Sequence, residues 1–287
     1  MKMIEIIESD CYLETLKPMS NTSGGISAKT YLATVQWPNG EIMDSYVKLF
    51  PEDVRTKEII NESFGFLLAK TVNLRQSQRA ALIKLDVNDF EIDTSNDPFA
   101  LANGYVYGWV TSSLGGDNLK KIYLKNPPTI THVEAQKLMS FLSNWPNFSQ
   151  LIAFDDWIGN IDRNIGNLIL INKNDIAIID HGRLFGVINW LVEDIDAKLS
   201  CPNVMLSIFK MSHSGAIIHP ARYQPILDSA VQQQISYVKD FAEIKQKIIN
   251  IDSIMGSHVN TKIDTFFDYF NNRFANIASR LPHALAA

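Results

Sequence analysis

One short stretch of the chain gathers oxygen-bearing side chains at fixed spacing. Asp162 is followed by Asn164 and Asn167, and Asp180 comes 13 residues after Asn167. Two runs of β-type residues, 167–171 and 175–180, predict a hairpin between them. That hairpin sets Asn167 and Asp180 side by side at one mouth, with Asp162 on the loop leading in. Phosphoryl transfer needs a carboxylate near an acceptor hydroxyl. It also needs oxygen ligands for Mg²⁺, which neutralises phosphate charge. Asp162 is the candidate for the first role, and Asn167 and Asp180 for the second. A lone Asp in a loop more often makes a turn or a cap; the joint order of polar residues singles this one out.

The same chemistry asks for a lysine on a strand to hold phosphates and a glutamate on a helix to position it. Lys48 lies in a β-rich run, and Glu62 follows on an expected helix. Taken alone, each reads as surface charge; each gains weight from the other. Upstream, Ser23, Gly24 and Gly25 form a small polar loop that could cradle phosphate, or a plain turn. Gly108, Trp109 and Val110 are the candidate backbone contacts to adenine, although the aromatic run Tyr105, Tyr107 and Trp109 reads more readily as core. Asp155 and Asp156 precede the Asp162 loop and read as its hydrogen-bonded support, as a cap or as buried, satisfied acids. Arg163 reads as the partner of a carboxylate or as a loop cap, without a catalytic role, and His181 as a structural residue beside the site.

These groups must be carried by particular elements. Residues 30–37 and 45–50, separated by Pro38-Asn39-Gly40, predict a β-hairpin. Ile59, Ile60, Phe64, Leu67, Leu68 and Val72 recur at helical spacing and predict a helix from Arg55 to Val72. Runs 81–85 and 104–110 predict further strands, with an acidic, polar loop over 88–103. Ser112 to Gly116 reads as a connector. Helices then dominate, one opened by the capping-box pattern Thr131-His132-Val133-Glu134 and another over the apolar stretch Phe148 to Ile158. From about Asn189 helix is expected, with breaks at Pro220 and at 253–257. The sum is an α+β chain of two lobes, 1–111 β-rich and 112–287 mostly helical, with a cleft between them suited to a ligand.

The pattern Asp162-Arg163-Asn164…Asn167, a hairpin, then Ile179-Asp180-His181-Gly182 resembles the catalytic and metal-binding loops of the protein-kinase superfamily. Its wording is most similar to the HipA-like kinases, and more distantly to phosphatidylinositol kinases. The resemblance runs from about Ser20 to Phe185. It implies a two-lobed protein-kinase-like fold, Asp162 as catalytic aspartate, Asn167 and Asp180 as Mg²⁺ ligands, and ATP as the nucleotide. The sequence departs from the wider pattern in three places. Ser23-Gly24-Gly25 replaces a fuller glycine-rich loop, Asn164 stands where many protein kinases carry lysine, and His181 replaces the phenylalanine of Asp-Phe-Gly.

Bulk properties narrow the alternatives. The 287 residues are 46% hydrophobic and 20% charged, with net charge -5. That is an ordinary globular composition, and without a basic run it does not favour nucleic acid. Cys11 and Cys201 lie far apart and point to neither zinc nor disulfides. The opening residues, interrupted by acids, are not expected to act as a secretory signal. No apolar run reaches membrane-spanning length, so a cytoplasmic location and no membrane partner are expected. The expected acceptor is a protein hydroxyl. A small-molecule or lipid kinase, an AMP transferase and a non-catalytic nucleotide-binding module remain as alternatives.

Overall fold

The computed structural model describes residues 4–19, 28–86, 104–124, 131–187, 190–213, 218–256 and 263–286. Ser23, Gly24, Gly25 and the 88–103 loop lie outside them.

The first sheet has six strands: β1 (Glu5–Ile7), β2 (Tyr12–Met19), β3 (Lys29–Gln36), β4 (Ile42–Leu49), β5 (Ala80–Asp86) and β6 (Tyr105–Ser112), in the order β1-β5-β6-β4-β3-β2. All neighbours are antiparallel except β1, which runs parallel to β5. The β3–β4 hairpin closes where predicted, with Gly40 at φ +86° in the turn. The two outer strands were not expected from the sequence. β2 is an edge strand, mostly exposed, carrying Lys17 and Pro18. Neither of its sides is buried, so it lacks the apolar alternation that betrays a half-buried strand.

Helix α1 (Glu52–Thr71) starts after Pro51 and carries Glu52 and Asp53 in its first turn and Lys70 in its last, as the helix dipole favours. It packs against one face of the sheet through Phe66, which meets Trp109 edge-on at 6.2 Å. The other face holds a separate core of Val35, Trp37, Val47, Leu49, Ile83 and Val110.

The chain leaves the first sheet at Ser112 and enters a second, three-stranded sheet at β7 (Asp117–Asn118), which pairs with β8 (Leu168–Asn172); β8 in turn pairs with β9 (Asp175–Ile178). Helices α2 (Leu119–Tyr123), α3 (His132–Ser143) and α4 (Phe148–Ile158) lie between β7 and β8. The predicted capping box is present at Thr131 and Glu134. Residues 181–187 and 190–203 are largely irregular, although helix was expected from about Asn189, and α5 (Val204–Ser212), α6 (Pro220–Met255) and α7 (Ile263–Ala286) follow. Pro220 is the first residue of α6, and Gly256 ends it at φ +63°.

One hydrophobic core runs from α1 through α4 to α6 and α7. At its centre Phe64 of α1 lies 5.2–6.1 Å, ring to ring, from Phe185, Phe266, Phe267 and Phe270. Thr71 Oγ1 donates to Asp240 of α6 at 3.1 Å. The helix that carries Glu62 is therefore fastened to the C-terminal helices as firmly as to its own sheet.

Candidate functional site

Lys48 sits near the end of β4 with its side chain 18% exposed. Its Nζ donates to Glu62 Oε1 at 2.5 Å and pairs with Asp180 Oδ1 at 3.0 Å. Burial alone would lower the Lys48 pKa, but the Asp180 and Glu62 carboxylates outweigh it and hold the ammonium charged. The other Glu62 oxygen accepts from the His181 backbone N–H at 3.0 Å. A single buried carboxylate thus joins the strand lysine to the turn that carries Asp180. Burial would raise the Asp180 carboxyl; Lys48 overrides it and holds the group at about 2.

Asp162 is placed by the end of α4. Gly159 terminates that helix in the left-handed conformation, φ +63°. A β-carbon there would stand 2.2 Å from Tyr269 Oη and 2.9 Å from Gly186 N, so both conformation and space require glycine. Asn160 Oδ1 then accepts from Asp162 N at 3.0 Å. Asn167 Nδ2 donates to Asp162 O at 3.0 Å, and Asn164 Nδ2 does so at 3.2 Å. The loop is held through the Asp162 backbone, which leaves its carboxylate exposed. Desolvation, then the neighbouring Asp180, push that carboxyl above its ordinary range; Arg183 opposes them.

Arg163 is fully buried and makes the tie beneath the site. Its Nε meets both Asp155 oxygens at 3.2 and 3.3 Å. Nη1 donates to Ile179 O at 2.5 Å and to Asp180 O at 3.3 Å, while Nη2 meets His181 Nδ1 at 3.1 Å. A guanidinium only donates, so His181 Nδ1 is the unprotonated nitrogen. Burial, then Arg163, keep the imidazole neutral, well below its ordinary pKa. A buried ion pair is tolerable because its remaining donors are satisfied in this way. Asp155 is thus a buried acid that supports the loop rather than a cap. Asp156 instead pairs with Arg273 and Arg280 of α7.

The structure bonds Lys48 to Glu62 and Asp180, and Asn167 to Asp162, and joins the two groups through the Ile179 N–H, which donates to Asn167 O at 3.0 Å. Asn167 spends its amide N–H on Asp162 and keeps its carbonyl oxygen. Together with the Asp180 carboxylate it offers hard oxygen and neither sulfur nor imidazole. That donor set fits Mg²⁺, which takes one or two protein oxygens and completes its shell with water and phosphate. Among the described residues no group of three or more His, Cys, Asp or Glu forms a metal cage of its own.

Gly108, Trp109 and Val110 do not belong to this assembly. They lie inside β6, paired on one side with Leu49, Lys48 and Val47 and on the other with Ile83, Leu82 and Ala81. A strand between two neighbours has its backbone groups committed to the sheet, so this triplet has none to give adenine. A β-carbon at Gly108 would stand 2.8 Å from Leu49 Cδ2, which explains that glycine by packing. The crossing between sheets is Ser113 to Gly116, just beyond. A cavity of about 530 Å³ lies beside it, lined by Lys70, Arg75, Gln76, Ser77, Ser113 and Leu114, and holds none of the assembly's residues.

Three further positions around the site, Glu58, Asn61 and Gly65, were not singled out in the sequence. With Glu62 they make a stripe of polar or small residues along α1 at helical spacing, all buried. Glu58 receives Arg183 Nη1 at 2.8 Å, and burial pushes its carboxyl up to about 7. Asn61 donates to Gly182 O at 2.8 Å. Gly65 faces His181. Such a stripe on an otherwise apolar helix is a legible signal of a polar contact across it.

No protein-family model matches the chain, and no curated protein matches it either. Among solved structures, a Helicobacter pylori proinflammatory kinase, CtkA, superposes with a TM-score of 0.56 at 13% identity, covering 98% of each chain. The fold is kinase-like: a β-rich sheet with one helix, followed by a mostly helical part.

Proposed function

We propose that this chain is an ATP- and Mg²⁺-dependent phosphotransferase of the HipA-like kind, moving the γ-phosphoryl of ATP to a serine or threonine hydroxyl of a protein. The observation that carries the reading is the junction of Lys48, Glu62 and Asp180 at 2.5 and 3.0 Å, with Asp162 and Asn167 bonded together beside it. A kinase-like fold in CtkA, described as a kinase, supports it.

In this reading Lys48, steadied by Glu62, holds the α- and β-phosphates. Asn167 and Asp180 hold Mg²⁺, which supplies charge neutralisation to the phosphates. Asp162 orients the acceptor hydroxyl and takes its proton. The acceptor oxygen bonds to the γ-phosphorus as the bond to the β-phosphate oxygen breaks, and ADP leaves. The two lobes, 1–111 and 112–287, form the cleft, and backbone of Ser113 to Gly116 replaces Gly108 to Val110 as the adenine contact. Ser23, Gly24 and Gly25, outside the described residues, keep their candidate role at the phosphates.

Asp180→Ala tests the nucleotide half of this reading. It removes a metal ligand and a partner of Lys48, so Mg·ATP affinity should fall roughly 10–100-fold in a calorimetric titration. Wild-type affinity in that variant would remove Asp180 from the site.

The base has its own test in pH. A raised Asp162 pKa places the acid limb of kcat/KM above the ordinary aspartate range, because only the ionised form accepts a proton. Arg183 favours that ionised form. Arg183→Gln should therefore raise the Asp162 pKa further and move the limb to higher pH. A limb that stays in place or moves down would assign it to another group.

A further inference from the structure

Asn61 precedes Glu62 on α1 and is 3% exposed. Its Nδ2 donates to Gly182 O at 2.8 Å, while its Oδ1 accepts from Trp190 Nε1 at 3.0 Å. Both ends of one amide are committed, and in opposite senses. An aspartate could not donate to Gly182, and an apolar residue could serve neither partner. Trp190 is itself fixed by its ring, 5.4 Å from Phe185 and 5.1 Å from Phe266. Asn61 therefore ties three things together: the helix bearing Glu62, the Asp180-His181-Gly182 turn, and the segment leaving that turn.

The turn needs such ties. Asp180 has φ +63°, a conformation disfavoured for any residue with a β-carbon. Residues persist there only where their surroundings over-determine them. Upstream, Arg163 holds the Ile179 and Asp180 carbonyls. In the middle, Glu62 holds the His181 amide. Downstream, the Gly182 carbonyl is held by Asn61.

We infer that Asn61, seated by the Trp190 indole, is a positioning residue that fixes the conformation of Asp180 and so tunes how the site holds its metal. It never touches nucleotide or acceptor; it acts through the Gly182 carbonyl. The inference rests on the proposed phosphotransferase reading for what Asp180 holds. It goes beyond that reading by giving the metal site a support on the helix of the opposite sheet. A shift of α1 is then felt twice, once by Lys48 through Glu62 and once by Asp180 through Asn61.

The test is calorimetric titration of Mg²⁺ into the full chain with a non-hydrolysable ATP analogue, which needs no turnover. Asn61→Leu removes both hydrogen bonds at similar volume. Trp190→Phe removes the indole N–H together with some ring volume and keeps a ring among Phe185 and Phe266. Ser63→Ala is the control, since Ser63 is buried on the same helix but bonds only to Ile59 O of that helix. Loss of an outer support commonly weakens a metal site about tenfold or more. Asn61→Leu should do so, Trp190→Phe should weaken it by a smaller factor, and Ser63→Ala should leave Mg²⁺ affinity unchanged even if its melting temperature falls. Should Asn61→Leu not fold, Trp190→Phe decides alone. Folded variants with wild-type Mg²⁺ affinity would overturn the positioning role and leave the phosphotransferase reading standing. A wild type that binds the analogue without regard to Mg²⁺ would overturn both.

Discussion

Asp162→Asn should lower kcat by about 10²–10⁴-fold, the usual worth of a positioned proton acceptor, while ATP affinity and folding stay as they are. The structure makes this substitution unusually clean. The hydrogen bonds that fix Asp162 in the loop use its backbone: its N–H to Asn160, and its carbonyl from Asn167 and Asn164. The carboxylate itself is exposed, so an amide of the same shape neither opens a cavity nor strands a buried partner. A loss confined to kcat would mark an interaction made in the transition state. The check is steady-state kinetics beside an ATP-binding titration. A variant that turns over at the wild-type rate would show that Asp162 is not the base, whatever the loop resembles.

Gly65→Ala should damage the protein where the same change usually helps. In a helix interior, alanine is favoured over glycine by about 0.5–1 kcal/mol. At position 65 the new methyl would lie 2.1 Å from His181 Cβ and 2.3 Å from Cγ. His181 has nowhere to retreat. Its Nδ1 is held by Arg163, its backbone N–H by Glu62, and its ring meets Phe154 edge-on at 6.3 Å. Helix α1 is no freer, because Phe64 is sunk among Phe185, Phe266, Phe267 and Phe270. Overpacking of this sort costs about 1–3 kcal/mol. If α1 yields, the 2.5 Å contact between Lys48 and Glu62 opens. A displacement of one ångström can cost a catalytic site about 10²-fold. Lower thermal stability together with a fall of that order in kcat/KM for ATP is expected. An alanine variant more stable than wild type and fully active would mean that the close approach of α1 to His181 does not govern the site.

These two positions mark what the sequence discloses and what it hides. Asp162, Asn167 and Asp180 stand close together along the chain, and a short apolar hairpin announces how they meet. Lys48 and Glu62 could be paired because a strand lysine and a helix glutamate in that order serve one chemistry. Strands buried on both faces and the apolar stripe of α1 are also plain from periodicity. Gly65 shows nothing of the kind: its necessity comes from His181, which is 116 positions away and across a helix–turn contact. The aromatic cluster is hidden for the same reason, since Phe64, Phe266 and Phe270 each read as ordinary core residues. Gly108 to Val110 illustrate a different limit. An apolar run shows that a strand exists, but not where along it the pairing stops; here the pairing runs on through Gly108 to Val110 as far as Ser112. Helix was expected from about Asn189, yet over 190–203 the chain is largely irregular and Trp190 is spent on the aromatic cluster.

The chemistry is tested most directly by the products formed from Mg·ATP. The purified chain is incubated with Mg·ATP and a mixed serine and threonine peptide acceptor, and phosphorus species are followed by nuclear magnetic resonance, with Asp162→Asn alongside. ADP and a phosphate ester, accumulating with the wild type and not with the variant, is the predicted result. Pyrophosphate would mean that the nucleotidyl group moves instead, and ATP left intact by the wild type would contradict phosphoryl transfer outright.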